Sequence, residues 1–257
     1  MIKPKIYLLR LESVPIFEQL QIEEALLRSN KRNWVLVNHR SPPACVLGIS
    51  GKINELLNQE LLEKKPLPII RRFSGGGTVV VDEETLFFTL ICQHSDVNVP
   101  PFPKKILGWT EKLFAPLFKK QDFALRENDY VFGEKKFGGN AQYITKDRWL
   151  HHTSFLWDFS KERMQYLLQP QRQPAYRSNR EHDDFLCCLK ELFPSKEILI
   201  NGLIEQVRNF FDIEEVPFSE VQPLLKRPHR KSTKLEELKK TVTAERGLPL
   251  DTINRKC

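Results

Sequence analysis

The sequence predicts an α+β fold built on one central, mostly antiparallel mixed sheet with helices packed against it. Three observations carry this. Strand-like and helix-like segments are interspersed without the strict alternation of a doubly wound fold. The run 85–92, TLFFTLIC, is apolar on both faces, as a strand covered on both sides must be. Residues 129–132 and 136–144 flank Gly133-Glu134, which reads as a hairpin turn.

The other elements follow in order. Ser13 and Pro15 open a helix that runs through Leu27, with Ile16, Leu20 and Leu27 near one face. Residues 34–37 and 44–47 read as short strands, and 53–62 as a helix. Residues 67–72 and 78–81 are strand-like and flank a glycine run. Pro100 to Pro103 mark a loop, and 106–120 form an amphipathic helix. Residues 153–157 are a strand, 161–168 a short helix and 170–174 a polar loop. Helical periodicity returns over 197–211 through Ile198, Leu203, Val207 and Phe210. The stretch 219–257 is charged, with a basic loop at 226–231 and a final helix at 235–242.

The chain has 257 residues, 40% of them apolar, enough to bury a sizeable core. No apolar run approaches the roughly 20 residues of a membrane span, and residues 1–10 carry no small-residue cleavage site. The reading is a cytoplasmic protein that is not membrane-bound. The formal charge of +7 favours acidic partners. Lys and Arg are spread along the whole chain, which argues against nucleic acid. Cys45, Cys92, Cys187, Cys188 and Cys257 form no CxxC pair and no zinc spacing, and read as reduced thiols.

Three segments carry chemistry. In RRFSGGGT (71–78), the three glycines permit positive-φ backbone and let a ligand approach the main chain. Their consecutive N–H groups can form an anion nest, and Arg71 and Arg72 supply fixed charge. A glycine-rich hairpin with solvated arginines satisfies the same residue types, and the spacing is not that of a Walker loop. In NDYVFGEKKFGGNAQ (128–142), Lys135 and Lys136 point to opposite faces of a strand. Lys136, beside the small residues Gly138, Gly139 and Ala141, can then reach a ligand carboxylate or phosphate. Asp129 suits Mg²⁺ as a hard oxygen ligand, or is simply a strand-start residue. In HHTSFLWD (151–158), the adjacent histidines face opposite ways and cannot readily chelate one metal; one of them can line a pocket.

Taken together, the order and spacing of RRFSGGGT, ND, GEKKFGGNAQ and HHTSFLWD resemble the lipoate–protein ligase family over roughly residues 68–158. The stretch PAYRSNREHDDF (174–185) resembles one branch of that family. The resemblance implies the fold shared with biotin ligases, with residues 1–215 as the catalytic domain. Residues 216–257 would be a short charged extension, with no full accessory domain. It implies a tunnel for the acyl chain and a site for an acyl-adenylate. Arg72, Ser74, Gly75, Gly76, Gly77 and Thr78 would line the acyl and phosphate path. Lys136 would be the catalytic lysine, beside the acyl carbonyl and phosphate. Asn128 and Asp129 would face the nucleotide and Mg²⁺, and Gly139, Ala141 and His152 would complete the wall. Val79 and Phe137 are candidate walls for the apolar acyl tail.

The implied activity is ATP-dependent attachment of lipoate to a protein lysine through lipoyl-AMP. The implied acceptors are lipoyl domains of 2-oxoacid dehydrogenase E2 subunits and the glycine cleavage H protein. Departures are visible: Val80 and Val81 precede Asp82 where the family often has an aromatic residue and then His-Asp, and His-His-Gly-Thr becomes His151-His152-Thr153-Ser154. Three routes stay open: activation of lipoate unaided, activation with a separate accessory chain, and transfer from preformed lipoyl-AMP. The competing functions are an octanoyltransferase using a thioester at Cys187 or Cys188, read as helical, and a catalytically silent lipoyl-domain binder.

Overall fold

A computed structural model of the chain describes residues 2–169 and 173–238. Its strands are β1 (Lys5–Glu12), β2 (Asn33–His39), β3 (Ala44–Leu47), β4 (Ile69–Arg71), β5 (Val79–Val81) and β6 (Thr85–Gln93). They continue with β7 (Phe123–Arg126), β8 (Asp129–Phe132), β9 (Lys135–Ile144), β10 (Arg148–Leu156), β11 (Asp212–Glu215) and β12 (Lys234–Glu236). Eight of them form one sheet in the order β11-β1-β2-β6-β10-β9-β8-β7, antiparallel except where β1 pairs with β2 and β11. A smaller sheet has the order β12-β4-β3-β5.

β6 is central and dry on both faces. Leu86, Phe88, Leu90 and Cys92 join an aromatic core with Phe114, Phe118, Tyr130, Phe137 and Phe155. The Pro103–Phe114 and Lys196–Arg208 helices cover that face through Ile106, Leu113, Leu199 and Leu203. Phe87 and Ile91 turn the other way, towards the Ile16–Ser29 helix and the small sheet, where Leu20, Leu26, Val46, Ile70 and Phe73 are buried with them. The main sheet therefore keeps a back that is apolar apart from a buried hydrogen-bonded group of Thr110, Tyr130, His151 and Thr153, while its front is shared between an apolar core and the cavity described below.

Several local expectations are corrected. The helix expected over 53–62 is two short helices, Ile53–Leu56 and Gln59–Lys64. Leu57 leaves the helix to bridge Leu167, and Asn58 caps the second by accepting from the Leu61 N–H. The same bridge ends the 161–168 helix early, at Lys161–Met164. The 106–120 helix stops at Phe114 and continues as a 3₁₀ turn, Ala115–Phe118, whose Pro116 has no N–H to extend the ladder. Strands β7 and β11, unassigned from the sequence, are four-residue strands at the sheet edges; β1, also unassigned, is an eight-residue inner strand that buries Ile6 and Leu8 on one face and Leu9 and Leu11 on the other. β10 starts five residues earlier than expected, at Arg148.

Part of the stretch expected as a helix at 235–242 is strand β12, paired with β4; residues 239–242 lie outside the described residues, as do 170–172 of the expected loop. Val216, Val221 and Leu224, beyond the boundary drawn at residue 215, are buried in the front core. Cys187 and Cys188 are not helical: they follow the short His182–Phe185 helix, and the Cys187 N–H donates to the Lys136 carbonyl at 2.9 Å.

Candidate active site

The glycine loop leaves β4 and folds back over β3. The Arg72 N–H donates to the Leu47 carbonyl, and the Ile49 N–H to the Ser74 carbonyl, both at 3.0 Å. The close approach requires Gly48: a Cβ there would sit 2.2 Å from the Gly76 carbonyl oxygen. Gly76 itself has φ +97, a conformation that favours glycine.

The two arginines before the loop do different things. Arg71 is spent outside the cavity, on Glu236 of β12 at 2.6 Å and on the Gly51 carbonyl at 2.6 Å. Arg72 is buried and curls into its own loop, donating to the Gly75 carbonyl at 2.7 Å and the Gly77 carbonyl at 2.8 Å. Burial lowers its pKa to about 10 against the opposing pull of Glu23, so it stays charged. With those carbonyls turned towards Arg72, the loop is held in one shape.

A buried relay holds the loop from the other side. Glu23 is wholly buried and accepts from Gln19 and Thr89, each at 2.7 Å. Its second oxygen lies 2.9 Å from His152 Nδ1, and His152 Nε2 lies 3.1 Å from Ser74 Oγ. With the Nδ1 hydrogen donated to the carboxylate, Nε2 is left to accept the Ser74 hydroxyl. The hydrogen-bond order is that of a nucleophile triad. Ser74, however, is 0% exposed and off the cavity wall, so the relay anchors rather than attacks.

Opposite the loop stands Lys136. Its ammonium lies 2.8 Å from Asp129 Oδ1, while the Tyr176 hydroxyl donates to Asp129 Oδ2 at 2.8 Å. Gly139 leaves it room: a Cβ there would come within 3.2 Å of Lys136 Nζ. Two residues on, the Ala141 methyl lies 3.3 Å from where a Gly76 Cβ would be, so the hairpin and the glycine loop meet directly. Asn140 ties the strands together, accepting from Thr153 at 2.6 Å and donating to the Asn128 carbonyl at 3.0 Å.

Between these walls lies a cavity of about 760 Å³. Its polar lining includes Gly76, Gly77, Thr78, Lys136, Asn140 and His152, together with Asn128, Asp129, Gly139 and Ala141. Thr78 Oγ1 is buried there with no partner among the described residues. Its apolar lining includes Leu20, Val46, Val79, Val81 and Phe87.

Most of the residues named from the sequence thus share one cavity. Ser74 and Gly75 do not: they stand behind the wall and shape it. Phe137 is also corrected, because it alternates with Lys136 along β9 and lies in the aromatic core at 0% exposure. Sequence reasoning missed Glu23, Gly48, Tyr176 and Arg177. Only the last two had a signal, in the PAYR stretch. None of the four described cysteines lines the cavity. Burial raises Cys187 to about 11 and, joined by Asp158, Cys188 to about 12, so neither is a ready thiolate.

A family model, the lipoyl protein ligase A/B catalytic domain, matches residues 15–212. The chain belongs to that family. It is 27% identical to a Plasmodium falciparum protein named inactive lipoate–protein ligase 2, over 82% of this chain and 71% of that one. It spans 42% of the length of a lipoate–protein ligase of Bacillus subtilis and 58% of that of a probable lipoate–protein ligase A of Mycoplasma genitalium. Among solved structures, the bipartite lipoate–protein ligase of Thermoplasma acidophilum, described with its E2 lipoyl domain, superposes with TM-score 0.70 at 18% identity, covering 88% of this chain and 91% of that one. A lipoate–protein ligase A bound with ATP superposes with TM-score 0.70 at 17% identity, covering 88% and 93%. The α+β fold is therefore that of the lipoate ligases. No helix among the described residues is long and apolar enough to cross a membrane.

Proposed function

We propose that the chain attaches lipoate to a lysine of a lipoyl domain through a lipoyl-AMP intermediate. One observation carries this reading: the Lys136 ammonium and the bare backbone of Gly76 and Gly77 line the same cavity as the apolar side chains of Leu20, Val46, Val81 and Phe87. A carboxylate is a poor acyl donor, and adenylation gives it AMP as leaving group. The lipoate carboxylate attacks the α-phosphorus of ATP and pyrophosphate departs. Negative charge builds on the phosphoryl oxygens, and the fixed Lys136 cation and loop N–H groups stabilise it without reorganisation. A lysine amine of the acceptor then attacks the acyl carbonyl, and Lys136 stabilises the oxyanion as AMP leaves. The apolar lining, with Val81 and Phe87, takes the acyl chain. Structures of similar fold hold ATP or lipoic acid, and one is described together with its E2 lipoyl domain, which supports this reading.

Mg²⁺ fits in a limited way. Asp129, beside Glu127 on the polar lining, already pairs one oxygen with the Lys136 ammonium and accepts the Tyr176 hydroxyl on the other. It therefore suits an ion held mainly by substrate phosphates, whose charge the ion would neutralise. The acceptors on this reading are lipoyl domains of 2-oxoacid dehydrogenase E2 subunits and the H protein, whose encounter a +7 chain assists if they are acidic. A thioester route finds no support, since the described cysteines lie off the cavity. A silent binder is the reading favoured by the name of the Plasmodium relative. Lipoate-dependent exchange of labelled pyrophosphate into ATP decides between them. Exchange supports the ligase; transfer from lipoyl-AMP without exchange supports a transferase; neither, in a folded chain, leaves the silent binder.

A further inference from the structure

The cavity lining contains a cation besides Lys136 and Arg72, in the stretch 174–185 rather than in the glycine or lysine motif. Arg177, in the Ala175–Arg177 turn, lies on the cavity wall and is only 5% exposed. Its Nε donates to the Arg180 carbonyl at 3.0 Å, and its guanidinium stands 5.0 Å over the Phe185 ring. Its Nη2 is buried with no hydrogen-bond partner among the described residues. A buried guanidinium with an idle donor is costly unless an anion completes it.

The turn that carries Arg177 is fastened beside Lys136. The Ala175 N–H donates to Glu127 at 2.6 Å, the Tyr176 hydroxyl reaches Asp129, and Arg180 donates to the Glu134 carbonyl at 3.0 Å. Asp129 is thus shared between the Tyr176 turn and the Lys136 strand. Burial, and then Arg177 and Lys136, hold the His182 pKa below its ordinary value against Glu181 and Asp183. Phe185, Leu167 and Leu168 line the cavity as well, but a buried guanidinium with a free donor selects an oxyanion, so the group expected here is a phosphate rather than the acyl tail.

Resting on the function proposed above, we infer that Arg177 binds phosphoryl oxygens of the nucleotide, beside Lys136, through the forked donors that Lys lacks. The residues behind it are a positioning set: Tyr176 and Glu127 hold the turn, and Phe185 holds the guanidinium plane.

The test uses the full chain and three probes: ATP, inorganic pyrophosphate and lipoate. Arg177→Gln keeps a planar polar head without the charge. Its expected result is about tenfold weaker binding of ATP and of pyrophosphate, with lipoate binding changed less than twofold. Arg177→Lys keeps the charge without the fork and is expected to fall between, and it carries the test if Arg177→Gln does not fold by thermal melting. Unchanged ATP and pyrophosphate binding in a folded variant, or a loss confined to lipoate, overturns this assignment alone. A wild-type chain that binds neither ATP nor pyrophosphate overturns both this assignment and the ligase reading.

Discussion

The two faces of the main sheet use the same strands for opposite purposes. On the back, Phe137, Tyr130 and Phe155 stack within an aromatic core closed by Phe114 and Phe118. On the front, Lys136 and Gly139 of β9 and His152 of β10 border the cavity. The adjacent histidines make the contrast sharpest. His151 accepts from Gln142 and faces the Tyr130 and Thr153 hydroxyls, and burial, with His152 adding, lowers its pKa to about 3. His152, one step along, is tied to Glu23 and Ser74 and faces the cavity. A two-residue period places chemistry on one side and stability on the other, so neighbouring residues should fail in different ways.

The largest separation is expected between Lys136→Ala and Phe137→Ala. Lys136→Ala should lower lipoylation by on the order of 10³-fold with an unchanged melting curve, measured by acceptor modification and thermal denaturation. Full activity in that folded variant would end the mechanism. Phe137→Ala should cost about 4 kcal/mol of stability in a denaturant titration, while lipoate binding by the fraction still folded stays near wild type. A loss of binding without loss of stability would show that Phe137 reaches the substrate.

The third test uses pH. His151 has a folded-state pKa below its ordinary value of 6.5, so the folded chain binds fewer protons than the unfolded one. Stability is then full above pH 6.5 and is lost as pH falls from there towards 3, by about 2 kcal/mol at pH 5. His151→Gln should flatten that slope, whereas a slope unchanged by the substitution would place its origin elsewhere. The smallest effect is expected for Gly139→Ala. Its Cβ would press on the flexible end of Lys136, so about a fivefold loss of activity is expected with little change in melting temperature. A fall in stability as large as that of Phe137→Ala would mean that the backbone, not the lysine, had given way.

Much of the fold was legible where a segment's own pattern decided its state. The doubly apolar run at β6, the turn at Gly133 and the Pro15 helix start all appear in the structure. The departures lie where a distant partner decides. Leu57 leaves a helical pattern to pair with Leu167, more than a hundred residues away, and Lys234–Glu236 becomes a strand because β4 offers an open edge. The site divides in the same way. Lys136 and the glycines were visible because their chemistry sits in a short motif. Arg71 and Arg72 looked equivalent, and only the fold assigns one to Glu236 and the other to the loop carbonyls.

By itself the sequence determined the fold class, the family motif, and which residue types are able to meet an acyl phosphate. Tertiary structure alone decided that Glu23 braces His152, that Gly48 makes way for Gly76, and that Arg177 joins Lys136 in one cavity. The reason is range: strand period and glycine freedom act over a few residues, whereas burial and charge pairing belong to groups that only folding brings together.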